Sequence, residues 1–502
     1  MRTYPGRLEN FDMQLKLNSV RLGRVFQETD WRTGMVLGIF RHLALALTIS
    51  LFAIGSGLVH AQGGGNGGGD DQPQFGGVEI DANGILSSRS MIDPTGRLDR
   101  MRFEAARAGL NRDLQTPSKL RFVSLNRLEQ EYKKLRQAGQ VIPEEMQFLA
   151  GLTGVSHVFY LPDSNDIVIA GPAEGFFRTS SNHVVGLETG KSTLQLQDLV
   201  VALRTFGPDN QQTRLISCSI DPTQEGIVRL QQAQTRIQQA NGQLPDAQIM
   251  QIFREALGLQ VITINGVSDQ TNFARVMIEA DYRMKLIGLG LEMPTVPLTT
   301  YIQKADPSRG GTNSLLRWFF QPNYDCVTIS QDMNAIELSG NAVKLVGEDE
   351  SVNRAGERQG KGRMNAASRA YCDSFTKNYD KLAATNPLWA ELRNVMDLSI
   401  AAAFIQKFDL YGKAGWAMET FGDETQLQTK VMNSPNYVAP VANLVRRGNT
   451  RMFPIAGGVA MQPGIALNSD RVRQDTNGTI MQVQSQVSGD VVGLGENQWW
   501  WD

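Results

Sequence analysis

Three cysteines and four histidines in 502 residues leave little material for metal or nucleophile chemistry. Beyond the N-terminal leader only His157 and His183 remain, too few for a three-histidine zinc site, and no H-E-x-x-H occurs. Neither G-x-S-x-G nor C-x-x-C is present, which removes the α/β-hydrolase elbow, thioredoxin-like redox chemistry and c-type haem attachment. No metal and no cofactor are expected. Charge of one sign is not in excess either: 49 basic residues face 51 acidic ones, so the chain lacks the footprint of a nucleic-acid binder. What is present, 41% hydrophobic and 20% charged residues, supports a substantial core and excludes a disordered or polytopic membrane protein.

An uncharged, mostly apolar run extends from Leu43 to Val59 after Arg41 and His42, and Val59-His60-Ala61 places small residues where a signal peptidase reads. This is the anatomy of a secretory signal peptide, with cleavage expected after Ala61 and the start open between Met1 and Met35. Left uncleaved, the run would be a membrane anchor near the lower length limit for a span. The following stretch, Gln62 to Gly77, is rich in glycine and reads as a flexible tether. Export would place Cys218, Cys326 and Cys372 in an oxidising compartment, where Cys218 and Cys326, both in strand-like runs, are the expected disulfide pair.

From residue 78 onward helical and strand periods alternate, predicting a mixed α/β (α+β) body of two subdomains, 78–300 and 301–465, and a polar tail from 466 to 502. In the first, Arg97–Leu110, Arg127–Ala138, Leu196–Phe206, Thr223–Gln239, Asp246–Leu257 and Asn272–Leu289 read as helices. Strands are expected at Leu120–Leu125, Val155–Leu161, Asp166–Ala170, Leu215–Ile220 and Val261–Asn265, and a shorter one at His183–Leu187. In the second, Cys326–Ser330, Ala335–Ser339 and Ala342–Val346 read as a meander. Gly347–Arg363 reads as an exposed loop, and Met364–Ala384 and Leu388–Phe408 as helices.

Four local patterns invite chemistry. Gly186-Leu-Glu-Thr-Gly190-Lys191-Ser192 resembles a phosphate loop but has three residues between its glycines where that loop needs four, so a turn capped by Ser192 or Thr193 is expected. Asp163, Asp166 and Glu174 form the best cluster of loop carboxylates, able to hydrolyse a glycosidic bond if two of them stood about 5 to 10 Å apart. Glu279 to Arg283 and Asp281 to Lys285 are i, i+4 pairs with the acid first, expected as a salt-bridged helix face. Trp499, Trp500 and Trp501 close the polar tail and offer indoles that either dock on another molecule or fold back on the protein itself.

The strings Pro162-Asp163-Ser-Asn-Asp166-Ile-Val-Ile-Ala-Gly171-Pro-Ala-Glu174-Gly175, Cys218-Ser-Ile-Asp-Pro-Thr-Gln-Glu-Gly226, Glu279-Ala-Asp-Tyr-Arg-Met-Lys285 and Val343-Lys-Leu-Val-Gly347 together resemble a family of exported planctomycete proteins that share a domain of unknown function. The resemblance spans roughly Val78 to Val459. It implies a cell-envelope or secreted setting and carries over no activity, fold or catalytic residue. The expectation is an exported, non-enzymatic protein binding an envelope protein or polysaccharide, with a carboxylate-based hydrolase of an extracellular polymer as the alternative. No nucleic acid is expected as a partner, and a membrane only if the leader stays.

Overall fold

Runs of β-branched and aromatic residues form the strands of two main sheets in the computed structural model, which describes residues 78–502 except 82, 89–92, 94, 210–214, 241–242, 307–313, 341–342, 448 and 453–454. The leader, its cleavage site and the Gly-rich tether lie outside the described residues.

The larger sheet has nine strands, in the order β1 (Val78–Ile80), β2 (Ile85–Ser88), β15 (Tyr437–Val438), β9 (Gln260–Asn265), β8 (Ile216–Pro222), β18 (Ile455–Met461), β10 (Ser314–Pro322), β13 (Val343–Val352) and β14 (Arg358–Gly360). The second has seven: β19 (Arg473–Gln474), β11 (Val327–Ile329), β12 (Ala335–Leu338), β4 (His157–Leu161), β5 (Asp166–Ala173), β3 (Ser118–Ser124) and β20 (Trp500–Trp501). Two hairpins stand apart, β6 (Phe176–Arg178) with β7 (Val184–Gly186), and β16 (Leu444–Arg447) with β17 (Asn449–Met452). Mixed α/β is therefore the architecture.

The expected division near residue 300 is absent. Each main sheet draws strands from both sides of it, and residues from both sheets meet in one core cluster. The expected meander is also corrected. β11 and β12 pair with each other, but β13 joins the other sheet, antiparallel to β10 from Ser314↔Ser351 to Pro322↔Val343. The presumed loop Gly347–Arg363 instead continues β13 and forms β14, because its charged residues find buried partners described below.

Two helices fill the centre. Asn272–Gly288 buries every residue except Arg275 and Arg283 and packs on β8 and β18. Pro387–Lys407, apolar almost all round, packs against it and against the helix Leu196–Thr205, as a core helix does. Asn386 caps that helix through the Leu388 N–H, with Pro387 at its first turn, where the missing N–H costs nothing.

The seven-stranded sheet is covered on both faces. Val158, Tyr160, Ile167 and Ile169 point into the main core. Phe159, Leu161, Val168 and Ala170 alternate with them and lie under Ile480, Val487 and Val491 of the helix Thr479–Val492 and under Trp501. The segment expected as a polar tail is thus a structural layer: without it this apolar face would be wet.

Candidate binding cleft

Of the three carboxylates singled out in the sequence, Glu174 stands apart from Asp163 and Asp166, which lie at one turn. Asp163 is exposed in the β4–β5 turn and accepts from Ser488 Oγ at 3.0 Å. Asp166 starts β5, buried, where Ser124 Oγ donates to one oxygen at 2.8 Å and burial raises its pKa. Glu174 lies eight residues further along the same extended segment, roughly 25 Å away at 3.3 Å per residue. Its carboxylate accepts the N–H of Glu188 at 2.6 Å, the N–H of Thr189 at 3.0 Å and the Thr189 hydroxyl. The phosphate-loop look-alike therefore wraps an acid of its own chain. Gly186 is required there, since a Cβ would sit 2.1 Å from Glu174 Oε1. Ser192 does not cap the next helix as expected; its hydroxyl donates to the Pro387 carbonyl at 3.1 Å, and Gln195 occupies the cap position without a side-chain bond.

The tryptophan tail is likewise internal. β20 pairs antiparallel with β3 (Trp500↔Val123, Trp501↔Phe122), and the Ser124 N–H donates to Trp499 O at 2.9 Å. Trp499 and Trp501 are 4% and 5% exposed, and Trp501 stacks on Phe122 with ring centroids 5.5 Å apart. The fully buried Arg121 guanidinium lies over Trp500 and makes two 2.8 Å bonds to the Asp502 carboxylate.

The expected disulfide is not formed. Cys218 on β8 and Cys326 before β11 belong to different sheets, and these two and Cys372 are buried free thiols. Burial pushes the Cys218 thiol up, away from nucleophilic ionisation.

The two i, i+4 pairs of the central helix form as expected but are buried rather than on a solvated face. Lys285 Nζ donates to Asp281 Oδ2 at 3.0 Å and to Ile220 O at 2.9 Å, and both side chains are essentially inaccessible. Gly457 on β18 makes room, since a Cβ there would meet Asp281 Oδ1 at 2.6 Å. Burial raises Asp281 to about 6 against the pull of Lys285. Nearby, Arg358 on β14 bridges Asp221 at 2.8 Å and Glu350 at 2.6 Å; despite burial, its charge with that of Arg317 holds Asp221 down at about 2. On the opposite side Arg275 reaches Glu279 and Glu391, at 2.8 and 2.7 Å, and Glu391 meets His183 Nδ1 at 2.7 Å. Although burial opposes it, His183 and Arg275 hold Glu391 near 2. Asn272 links the network to Asp198, which burial lifts to about 7. His157 is half-buried, stacks on Phe159 and is lowered to about 4 by burial. Among the described residues no group of three or more His, Cys, Asp or Glu could hold a metal, and no helix is long and apolar enough to cross a membrane.

The largest of the described clefts, about 940 Å³, runs along Gly495–Asp502, and two more lie beside residues 420–432. This segment is fastened at three places: Glu129 accepts the N–H groups of Thr420 and Phe421 at 2.7 Å, Arg204 donates to Phe421 O and Leu427 O, and the Met432 N–H donates to Gln270 O. Gln428 lines a cleft on either side. One, of about 670 Å³, presents Thr205, Ser268, Gln270, Thr425 and Thr429 together with Arg204 and Glu424. The other, of about 260 Å³, presents Tyr132, Phe148, Arg178, Gln195, Gln197 and Lys430. Asp198 and His183 are chain neighbours of residues lining the second cleft, so the buried network stiffens the elements that carry its wall. Sequence reading missed this site. Its faint signal is the polar run Glu424-Thr-Gln-Leu-Gln-Thr-Lys430, in which Leu427 alone is buried.

Fold and clefts together define a mixed α/β protein with a buried ionic network inside its apolar core and polar surface clefts. Residues 218–301, from β8 through the central helix, match the family described as "Protein of unknown function (DUF1598)". No curated protein and no solved structure matches the chain.

Proposed function

We propose that this chain is an exported, non-enzymatic protein of the cell envelope or its surroundings, of the planctomycete type its sequence resembles, and that it binds an envelope polysaccharide along the two clefts beside residues 420–432. The observation that carries the reading is the contrast between its acids and its clefts. Asp166 at the start of β5 and Glu174 just after its end serve as internal acceptors, whereas the cleft walls offer side-chain amides and hydroxyls from a firmly held segment, with Glu424 the one acid among them. Polar groups that donate and accept, set on a rigid wall beside the rings of Tyr132 and Phe148, suit a ligand rich in hydroxyls. The leader pattern between Met35 and Gln62 supports export. A single assay tests the reading: incubation with the polysaccharide fraction of the producing cell's envelope, scoring both retention of the protein and release of reducing ends. Retention without release is expected. Release of reducing ends that disappears in an Asp166→Asn variant would overturn it in favour of a hydrolase.

A further inference from the structure

The smaller cleft carries charge of a single sign. Arg178 and Lys430 line it, and no aspartate or glutamate does. Arg178 rests its guanidinium over the Phe148 ring at 5.4 Å, and its ion pair with Glu144 is stretched to 4.0 Å. Lys430, exposed as a side chain, is lowered in basicity by partial desolvation in the cleft wall and, second, by the like charge of Arg178, with no acid lining the cleft between them. A fork-shaped donor and a point charge converging on one cavity are the usual means of holding a carboxylate or similar anion. Around them Gln195 and Gln197 are bonded to each other, and Gln428 and the Tyr132 ring complete a wall that also addresses hydroxyls. At about 260 Å³ the cavity is just below the ~300–1,000 Å³ of whole-ligand sites, a volume for part of a chain.

We infer that the small cleft is an acidic-sugar subsite, in which Arg178 and Lys430 hold the carboxylate of a uronic-acid residue while the neighbouring amides hold its hydroxyls. The inference rests on the cleft reading above and deepens it from polysaccharide to acidic polysaccharide. It accounts for a local cationic site on a chain whose net charge is −2. An acidic peptide would satisfy the cations and could bond the amides through its backbone, but a sugar offers vicinal hydroxyls that both donate and accept and a C–H face for the Tyr132 and Phe148 rings, so the saccharide is the better match.

The test is titration calorimetry of the full chain with short oligogalacturonates, with the same oligomers after carboxyl reduction to neutral sugars, and with oligoglutamate. The acidic sugar is expected to bind about tenfold tighter than the neutral one, in a salt-sensitive manner. Arg178→Gln and Lys430→Gln should each remove most of that preference, bringing the affinity for the acidic sugar down to that for the neutral one. Both side chains are exposed, so the folds of the variants are checked simply by their unfolding midpoints. Equal affinity for acidic and neutral sugar would overturn the subsite while leaving the cleft reading standing. Tighter binding of oligoglutamate would overturn the choice of sugar over peptide. Binding of none of the three, by a folded protein, would bring down the subsite and count against the polysaccharide reading itself.

Discussion

Glu174 Oε2 accepts the Thr189 N–H at 3.0 Å, so the turn between Gly186 and Gly190 closes on a carboxylate that the same chain supplies. The turn's donors are satisfied from within, which leaves it no role as an anion site. Glu174→Ala should therefore cost about 2–4 kcal/mol in urea-induced unfolding, as several charge-assisted bonds and a buried filling group are lost together. Polysaccharide retention by the folded variant should not change. Loss of retention at undiminished stability would give Glu174 a place in the site.

The tail is fixed by Arg121 and Asp502. Arg121→Met takes the donor from the carbonyls of Asp113, Leu114, Thr116 and Ala150 as well as from Asp502, so it should cost more than Asp502→Asn, which leaves the buried guanidinium those carbonyl partners. We expect roughly 3–5 kcal/mol for the arginine variant. Acrylamide quenching of tryptophan fluorescence checks the geometry: quenching should rise in both variants as Trp500 and Trp501 leave β3.

Asp281 and Lys285 form a buried pair on the central helix. Lys285→Met alone should destabilise by about 3–5 kcal/mol, whereas Asp281→Leu with Lys285→Met should recover most of the loss, because the pair is then replaced by apolar volume. A double-mutant cycle on unfolding midpoints decides this, and strict additivity would contradict the pairing.

The buried acids also set a pH profile. Asp198, Asp281 and Asp397, the last buried on the helix Pro387–Lys407 beside Arg393, have pKa values raised by burial to about 7, 6 and 6, so they favour the folded state most when protonated, and stability declines as pH rises from about 4 through those values. Asp221 and Glu391 are held near 2, so their contribution is complete above their ordinary values near 4 and is lost as pH falls towards 2. The unfolding midpoint should peak between these ranges, near pH 4–5. Asp198→Asn should flatten the decline towards pH 7, and Glu391→Gln the loss below pH 4.

Much of the first half of the fold is legible in the sequence. Asp246–Leu257 appears as the helix its period predicts, and Thr223 caps its helix through the Gly226 N–H. What escapes is long-range. Nothing local in Val343–Val352 says that it pairs with β10 rather than with the adjacent hairpin, because that choice is made by cross-strand partners. The helix Thr479–Val492 is polar enough to read as a tail, and only the apolar second face of β4 and β5 explains its position. The central salt bridges were predictable as pairs from their spacing but not as buried ones, since spacing says nothing of what covers a helix face. The cleft was least legible of all: Arg178 and Lys430 lie 252 positions apart and meet only in the fold.

Hydrogen exchange of the full chain with and without the envelope polysaccharide tests the central claim most directly, because it reports where the ligand lies. The account predicts slowed exchange confined to residues 195–205, 266–271 and 424–432 and to the surroundings of Tyr132, Phe148 and Arg178, the walls of the two clefts. Protection centred on residues 163–174, or on the tryptophan tail at 499–501, would contradict it.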